Sequence, residues 1–410
     1  MLHRASIKVL HMHLRFCFLN IHFSFLHPSS SQRLLSSSSP PSNCSTINTQ
    51  EQRTMMVQSN KSTLKKYPTK MPTAIFLDSG GVINDNAKRA PQWVRYLGEY
   101  LPTTVLGGNA QVWGMANVEM IGPFFRRWHE FMDQATLLAA QARDREKAMS
   151  TVADGNSGKW EEEETNVYRI FERLHLLIWI KEMCQIASRH LPVNDPLLFK
   201  TLPSLTDDDL FRIAKSAHVY AIRRVRADFP GALSAIRSIK AMPEGLKLYT
   251  SSADSFEDLE AILGGLGVLE EFDGVFGADR VDCLKNSDEY YRRVFEAVGV
   301  RCVVSRKEDV AIADGGQQGG IKEKYDANNG AGNKEEEEAV EVVVVDDSVK
   351  ALKCAHVQGA RTVLITSSEE ELDLSLEENR HVDYQLKALA DLPALLDSWR
   401  EHFSRSSSSS

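Results

Sequence analysis

The sequence predicts an α/β fold in which helices cover a parallel β-sheet and a mostly helical domain is inserted into the sheet-forming part of the chain. Two short apolar runs, 74–77 and 342–345, have the β-branched and aromatic composition of buried parallel strands, and each ends abruptly at aspartate. Strand and helix patterns alternate from residue 246 onward, whereas 91–230 is mostly helical in pattern. This order predicts one sheet-containing core that a helical insertion interrupts.

Each core element has its own signal. The first strand ends at Asp78, and Phe229-Pro230-Gly231 opens a helix whose apolar residues recur at helical spacing. The later core elements follow in chain order: a strand at 246–250, a helix at 256–263, a short strand within 274–277, a helix at 288–298, a strand at 342–345, a helix at 349–357, a strand at 362–365 and a closing helix near 392–403. Within the insertion, 167–191 is the strongest amphipathic stretch.

Shifts in composition predict the domain boundaries. We expect a disordered leader at 1–70, a core formed by 71–90 and 231–400, a helical cap at 91–230, and a disordered tail at 401–410. Residues 307–340 are rich in Gly, Asn, Lys and Glu, so we expect a disordered insertion in the core there.

The overall composition is that of a soluble globular protein. Of the 410 residues, 42% are hydrophobic and 25% are charged. The net charge of -8 gives no reason to expect nucleic acid as a partner, and no apolar stretch is long enough to predict a membrane span. The six cysteines include no CxxC pair, which argues against a zinc site or a disulfide framework. A reducing compartment fits this pattern, so we expect a cytoplasmic protein.

The leader leaves alternatives open. No acidic residue precedes Glu51, and the segment contains arginines and Ser-rich runs, as organellar transit peptides do. This interpretation predicts a mitochondrial or plastid location. The second interpretation is a disordered leader or translation from a start upstream of the working one, since Met71 stands just before the first strand. The third is a secretory signal peptide with a short apolar core at 16–26, which Asn20 and His22 interrupt.

Carboxylates follow two of the predicted strands. Asp78 comes directly after the first strand, and Asp346 and Asp347 follow the four valines of a later one. In an open α/β sheet, ligands bind beyond the carboxyl ends of the strands. Three carboxylates gathered there repel one another unless a cation joins them or one takes a proton. The sequence therefore predicts a site for a hard metal cation, with one carboxylate left for chemistry.

Other polar residues follow the remaining strand ends. Thr250 and Ser251 end the second strand and offer hydroxyl and N–H groups that can hold phosphate oxygens, and Lys285 lies beyond the third strand. Gly80 and Gly81 allow a tight turn after Asp78 and a close approach of ligand to backbone. Attack of Asp78 on phosphorus would require such neutralising groups.

Each of these residues also has an ordinary structural interpretation. A lone aspartate or hydroxyl after a strand is often a helix cap or turn residue, and a lone lysine is usually solvated. The adjacent pair Asp346-Asp347 is harder to explain structurally, because like charges side by side are unfavourable. The joint occurrence of these residues, in order and at strand ends, favours a site.

Four motifs resemble those of the haloacid dehalogenase-like (HAD) hydrolase superfamily. Asp78-Ser79-Gly80-Gly81-Val82 is similar to the first motif, Asp-x-Asp-Gly-Thr or Val, and Leu248-Tyr249-Thr250-Ser251 is similar to the second. Lys285 matches the motif lysine, although Asn286 replaces the usual following proline. Val345-Asp346-Asp347-Ser348 is similar to the fourth motif, and the resemblance covers roughly residues 71–400.

The resemblance implies a Rossmannoid core, a helical cap and a Mg²⁺-dependent phosphatase that acts on a small phosphorylated metabolite. Asp78 would be the nucleophile, Thr250 would bind the transferred phosphoryl group, and Lys285 would stabilise its charge. Ser251, Gly80 and Gly81 would be further phosphate-binding residues. The metal would be held by Asp78, the carbonyl of Gly80, Asp346 and Asp347.

One departure from the family pattern bears on the chemistry. Family phosphatases carry a second aspartate two residues after the nucleophile as general acid and base, and here that position is Gly80. General acid–base catalysis is typically worth about 10²–10⁴-fold. Three alternatives follow: a phosphatase that uses another acid such as Asp85, a substrate group or water; an enzyme that cleaves carbon–halogen or carbon–phosphorus bonds; or a weakly active or non-catalytic protein that binds a ligand or partner.

Overall fold

The computed structural model describes residues 68, 70–150, 165–190, 204–285, 287–300, 341–366, 372–374 and 376–407. The strands are β1 (Ala74–Leu77), β2 (Lys247–Thr250), β3 (Val342–Asp346), β4 (Arg361–Ile365) and β5 (Tyr384–Leu386). The helices are α1 (Asn86–Tyr100), α2 (Ala110–Arg126), α3 (Trp128–Ser150), α4 (Val167–His190), α5 (Asp207–Ile222), α6 (Ala232–Lys240), α7 (Phe256–Leu266), α8 (Asp288–Ala297), α9 (Val349–Val357) and α10 (Leu392–Ser407). Short 3-10 turns lie at Leu101–Thr103, Leu269–Glu271, Glu377–Asn379 and Leu389–Asp391.

The five strands form one parallel sheet in the order β2-β1-β3-β4-β5. The predicted Rossmannoid α/β fold is therefore confirmed. Leu77 is in register with Thr250 on one side and with Val345 on the other. Because all strands run the same way, this register brings the residues that follow β1, β2 and β3 to one level at the carboxyl edge of the sheet.

Both faces of the sheet are buried, and alternate residues of β1 show how. Phe76 belongs to a core cluster that also contains α8, α9 and apolar residues of the helices between β1 and β2. Ile75 and Leu77 point to the opposite face, into a cluster with α6 and α10. Burial on both faces explains why the strands are continuous apolar runs in the sequence.

Helices α1 to α5 lie between β1 and β2 in the chain and pack on one another. Helix α1 packs on α2 and α5, and helix α4 packs on α2, α3 and α5. This helical insertion leaves and re-enters the core through two adjacent segments. The Asp85 N–H donates to Ala227 O at 2.6 Å, and the Phe229 N–H donates to Ile83 O at 2.9 Å. These segments, 83–85 and 227–229, form a paired neck.

Asp85 is the N-cap of α1, so this helix begins at Asn86, ahead of the predicted cap boundary at 91. Its carboxylate accepts hydrogen bonds from the N–H groups of Ala87 and Lys88 at 2.8 and 3.3 Å. These bonds satisfy amides that have no partner within the helix. Asp85 therefore caps the first helix of the insertion.

One strand prediction was wrong, and one strand was missed. The strand predicted within 274–277 is only an isolated bridge between Gly274 and Tyr249, because the Phe276 N–H donates to the Thr250 side chain instead of a ladder partner. In addition, β5 was not predicted, since three residues are too few to show a period.

The predicted tail also differs from the structure. Helix α10 continues through Ser407, past the expected end of order at 400. In this last part of the helix, the hydroxyls of Ser404 and Ser406 donate to carbonyls one turn earlier. Three predicted segments lie outside the described residues. They are the leader except for residues 68 and 70, the insertion at 307–340, and residues 408–410 of the tail. In the part of the chain that the structure describes, no helix is long and apolar enough to cross a membrane.

Candidate active site

Three carboxylates converge at the carboxyl edge of the sheet. Asp78 follows β1, Asp346 ends β3, and Asp347 comes next; one oxygen from each lies within 4.8 Å of the other two. Asp78 and Asp346 are buried, whereas Asp347 is exposed. Among the described residues, no other group of three His, Cys, Asp or Glu side chains is arranged for a metal ion.

Lys285 lies between two of these carboxylates. Its Nζ is 2.8 Å from Asp78 Oδ1 and 2.7 Å from Asp346 Oδ2. The lysine is itself buried, with 8% of its surface exposed. Such a lysine is not the solvated surface residue that its isolated sequence context would suggest, because a buried ammonium needs partners of opposite charge.

Further hydrogen bonds hold the carboxylates in place. The Ser79 N–H donates to Asp78 Oδ1 and the Ser348 N–H donates to Asp346 Oδ1, both at 2.8 Å. The Tyr291 hydroxyl donates to Asp346 Oδ2 at 3.4 Å. Sequence reasoning missed Tyr291, although the Tyr-Tyr pair in the first turn of a helix close behind Lys285 was an available signal.

The site carries more negative than positive charge, and the pKa values reflect this. Burial raises the pKa of Asp78 well above its usual value; Lys285 opposes this effect, while Asp346 and Asp347 add to it. Neighbouring protein atoms shield the Asp347 carboxyl from water, and the negative charge of Asp346 repels it. Both effects raise the pKa of Asp347 to about 6, although other atoms of the residue are exposed.

For Lys285, burial alone would lower the pKa, but Asp346 and Asp78 outweigh burial and raise it well above its usual value. The lysine therefore stays charged, and three carboxylates face a single ammonium.

The two glycines of the first loop differ in their surroundings. Gly81 has φ of +78°, and a Cβ there would lie 1.8 Å from Asp347 Oδ2. Gly80 has no such constraint, because a Cβ there would meet nothing nearer than the Asn86 amide at 3.9 Å. Residue 81 must be glycine for Asp347 to keep its place, whereas residue 80 has room for a side chain.

The two hydroxyls after β2 also differ. The Thr250 hydroxyl donates to Phe276 O at 3.2 Å and accepts from Phe276 N–H at 2.7 Å, so it ties β2 to a neighbouring segment. The Ser251 hydroxyl is buried and has no hydrogen-bond partner among the described residues. The register of β1 and β2 places Ser251 level with Asp78. Of these two hydroxyls, therefore, only that of Ser251 lacks a protein partner among the described residues.

The donor set fits a hard divalent cation. Carboxylate oxygens are the ligands that Mg²⁺ uses in proteins, and three of them within reach of one another, two with raised pKa values, form a site that a cation would stabilise. Asp78, Asp346 and Asp347 are the side chains that would hold it.

The comparisons with known proteins give matches at the level of structure. No family model and no curated protein matches the chain. A 2-haloacid dehalogenase from Pseudomonas syringae pv. Tomato is 13% identical with a TM-score of 0.44, over 80% of this chain and 100% of that one. A putative HAD-hydrolase, YfnB from Bacillus subtilis bound to magnesium, is 13% identical with a TM-score of 0.41, over 80% and 99%. CbbY from Rhodobacter sphaeroides in complex with phosphate is 16% identical with a TM-score of 0.36, over 78% and 96%.

These likenesses define neither a family nor a function for this chain. At such low identity and TM-score, the chemistry of the site has to follow from its own geometry.

Proposed function

We propose that this protein is a Mg²⁺-dependent phosphomonoester hydrolase that acts on a small phosphorylated metabolite through an aspartyl-phosphate on Asp78. The observation that carries the proposal is the position of Lys285, whose ammonium contacts both Asp78 and Asp346 beside a cluster of three carboxylates. A nucleophilic carboxylate, a fixed cation and a site for a second cation are the groups that phosphoryl transfer requires.

Asp78 would attack phosphorus with one carboxylate oxygen while the alcohol of the substrate departs. Asp78 must be ionised to attack, and Lys285 and a bound cation would favour that form, because burial and the neighbouring carboxylates raise the pKa of Asp78. A bound Mg²⁺ would neutralise phosphate charge. Lys285 would supply a second positive charge to the transferring group.

Ser251 takes the phosphate-binding role in this proposal. Its unpartnered hydroxyl is level with Asp78, whereas the Thr250 hydroxyl is already bonded to the Phe276 backbone on both sides. A buried hydroxyl without a partner is unfavourable, and a phosphate oxygen would satisfy it. Thr250 then has a supporting role, holding the end of β2 in position.

No side chain at residue 80 can protonate the leaving group, and the Asp85 carboxylate is engaged in capping α1. The proton for the departing alcohol would therefore come from water or from the substrate itself. This mechanism favours substrates whose leaving groups are already acidic, because such groups depart with little protonation.

The test is turnover of p-nitrophenyl phosphate and a sugar-phosphate panel by the full chain, with Mg²⁺, with chelator, and in Asp78→Asn. We expect turnover that requires both the metal and Asp78. Trapping of beryllofluoride, a phosphate mimic, with Mg²⁺ at Asp78 would report the site without turnover. A folded protein that neither hydrolyses any phosphate nor binds the mimic would contradict the proposal.

The second candidate is hydrolysis of a carbon–halogen bond, and Gly80 is the observation that favours it, since that chemistry needs no second aspartate. The cluster of three carboxylates argues against it, because an attack that needs no metal gains nothing from the repulsion among them. Halide release from 2-chloropropionate in the presence of chelator would support this candidate over the phosphatase.

A further inference from the structure

The loop that carries Lys285 is bound directly by the helical insertion. Asp282 Oδ1 accepts a hydrogen bond from the N–H of Val167, the first residue of α4, at 2.6 Å. The first N–H groups of a helix have no partner within it. Asp282 therefore caps α4 from a distant part of the chain.

The same aspartate reaches a second helix of the insertion. Asp282 Oδ2 lies 2.7 Å from Arg143 Nη2 in α3, and Arg143 Nη2 also donates to Thr165 O at 3.2 Å. Asp282 thus contacts α3 and α4 directly, and Arg143 also links α3 to the segment before α4. Helices α3 and α4 are the two longest helices that the structure describes.

Asp282 is also held from the core. Arg293 in α8 donates through Nη1 to the carbonyls of Val281 and Asp282, each at 2.9 Å. The backbone of Asp282 has φ of +47°, and no other non-glycine residue described has a positive φ. Such a conformation persists only where surrounding contacts determine it, and here those contacts come from both the insertion and the core.

A second contact lies in the same loop. Asn166 Nδ2 donates to Asp279 O at 3.3 Å, and Arg169 Nη2 lies 3.5 Å from Asp279 Oδ2. Asp279 Oδ1 in turn accepts from the Phe256 N–H, at the start of α7, at 2.8 Å. The start of α4 is therefore fastened to this loop at two residues.

Only Cys283 and Leu284 separate Asp282 from Lys285. The lysine ammonium must stay within hydrogen-bond reach of Asp78 and Asp346 at once. We infer that Asp282 is a positioning residue that couples the seating of the helical insertion to the placement of Lys285. When the insertion is seated, Asp282 is held from both sides, and Lys285 is held at the site.

The test uses three variants of the full chain. Asp282→Gly keeps the backbone conformation accessible and removes both side-chain contacts, and Arg143→Gln removes the ion pair from the side of the insertion. Arg95→Gln is the matched control, because it removes an ion pair to Glu99 that lies wholly within α1. The direct readout is the rate at which acetic anhydride modifies Lys285, followed by mass spectrometry, since the buried lysine is protected when it is correctly placed.

We expect Lys285 modification to rise about tenfold in Asp282→Gly and to rise less in Arg143→Gln, with Arg95→Gln unchanged. The kinetic readout rests on the proposed function: kcat for p-nitrophenyl phosphate should fall about tenfold in Asp282→Gly, with KM little changed, because the loss is in alignment. Unchanged modification and kcat in folded Asp282→Gly would overturn the inference. If Asp282→Gly fails to fold, unchanged modification in Arg143→Gln overturns it instead.

The two proposals fail in different ways. If the wild-type protein turns over no phosphate but Lys285 modification rises in Asp282→Gly, the coupling holds and the proposed function fails. If the wild-type protein is active and Lys285 stays protected in folded Asp282→Gly, the coupling fails and the proposed function stands.

Discussion

The carboxylate of Asp347 occupies the space where a side chain of residue 81 would begin, so that a Cβ on Gly81 would lie 1.8 Å from its Oδ2. The loop after β1 and the loop after β3 therefore meet with no room between them. Glycine at residue 81, in the loop after β1, therefore leaves the space that the Asp347 carboxylate, in the loop after β3, occupies.

Gly81→Ala should weaken Mg²⁺ binding at least tenfold, because the added methyl group displaces the Asp347 carboxylate. The free energy of unfolding should also fall by about 1–2 kcal/mol, since alanine is strained at positive φ. Titration calorimetry with Mg²⁺ and urea denaturation would measure the two effects. Gly80→Ala is the control and should stay within about 0.5 kcal/mol of wild type, since its Cβ has space. Equal Mg²⁺ affinity in the two variants would contradict this prediction.

Gly80→Asp should raise the rate for substrates with poor leaving groups by about 10²-fold, because it supplies the missing general acid in a position with room for a side chain. Gly80→Asn has nearly the same shape and no proton to transfer, so it should not gain activity. The measurement is kcat/KM for aryl phosphates of graded leaving-group acidity. The dependence on acidity should be steep in wild type and shallower in Gly80→Asp; parallel dependences would count against a general acid at residue 80.

Ser251→Ala should weaken phosphate binding, whereas Thr250→Val should lower the stability of the fold. In Ser251→Ala, KM for phosphate esters should rise while stability is unchanged or slightly higher, since an unpartnered buried hydroxyl is removed. In Thr250→Val, the two bonds to Phe276 are lost, and the free energy of unfolding should fall by about 1–3 kcal/mol. Steady-state kinetics and denaturation of both variants would test this. A larger rise in KM in Thr250→Val than in Ser251→Ala would reverse the assignment.

The pair formed by His218 and Asp258 should make stability depend on pH. His218 Nε2 in α5 lies 3.0 Å from Asp258 Oδ2 in α7. Burial would lower the pKa of His218, but Asp258 outweighs it and raises the pKa above its usual value; Lys215 opposes this effect and Glu172 supports it. The folded state therefore binds a proton more tightly than the unfolded state, whose histidine has a pKa of about 6.5. The resulting stabilisation is complete below about pH 6.5 and is lost as the pH rises through the folded-state pKa.

In His218→Gln, the free energy of unfolding should no longer fall as the pH rises through the folded-state pKa of His218. The matched control His129→Gln, at an exposed position on α3, should keep this pH dependence. Each unit by which the folded-state pKa exceeds the unfolded value is worth about 1.4 kcal/mol. Urea denaturation from about pH 6 to pH 9 would measure the difference between the two variants. Identical pH profiles for wild type and His218→Gln would contradict the prediction.

The sequence was sufficient to predict the parts of the fold that depend on local pattern. The apolar runs before Asp78 and Asp346 predicted two parallel strands whose carboxylates gather at one edge of the sheet, and the structure shows that these two strands are direct neighbours. In contrast, β5 consists of three residues, and its pairing with β4 depends on contacts that no local pattern encodes.

The sequence could not predict which of the hydroxyls of Thr250 and Ser251 is hydrogen-bonded within the protein. Which hydroxyl is engaged depends on Phe276, which approaches from a separate segment of the chain. The same holds for Asp282, whose role follows from contacts with α3 and α4 that no motif predicts.

The paired neck at 83–85 and 227–229 has a consequence for how this protein can change. The two ends of the insertion lie side by side. The geometry of the sheet and its carboxylates therefore does not depend on the length of the chain between these ends. The helical insertion could therefore be exchanged or enlarged without moving the carboxylates at the edge of the sheet, provided that the new helices still offer a partner to Asp282. Changes in the insertion and changes at the sheet edge would then be largely independent, linked through one loop.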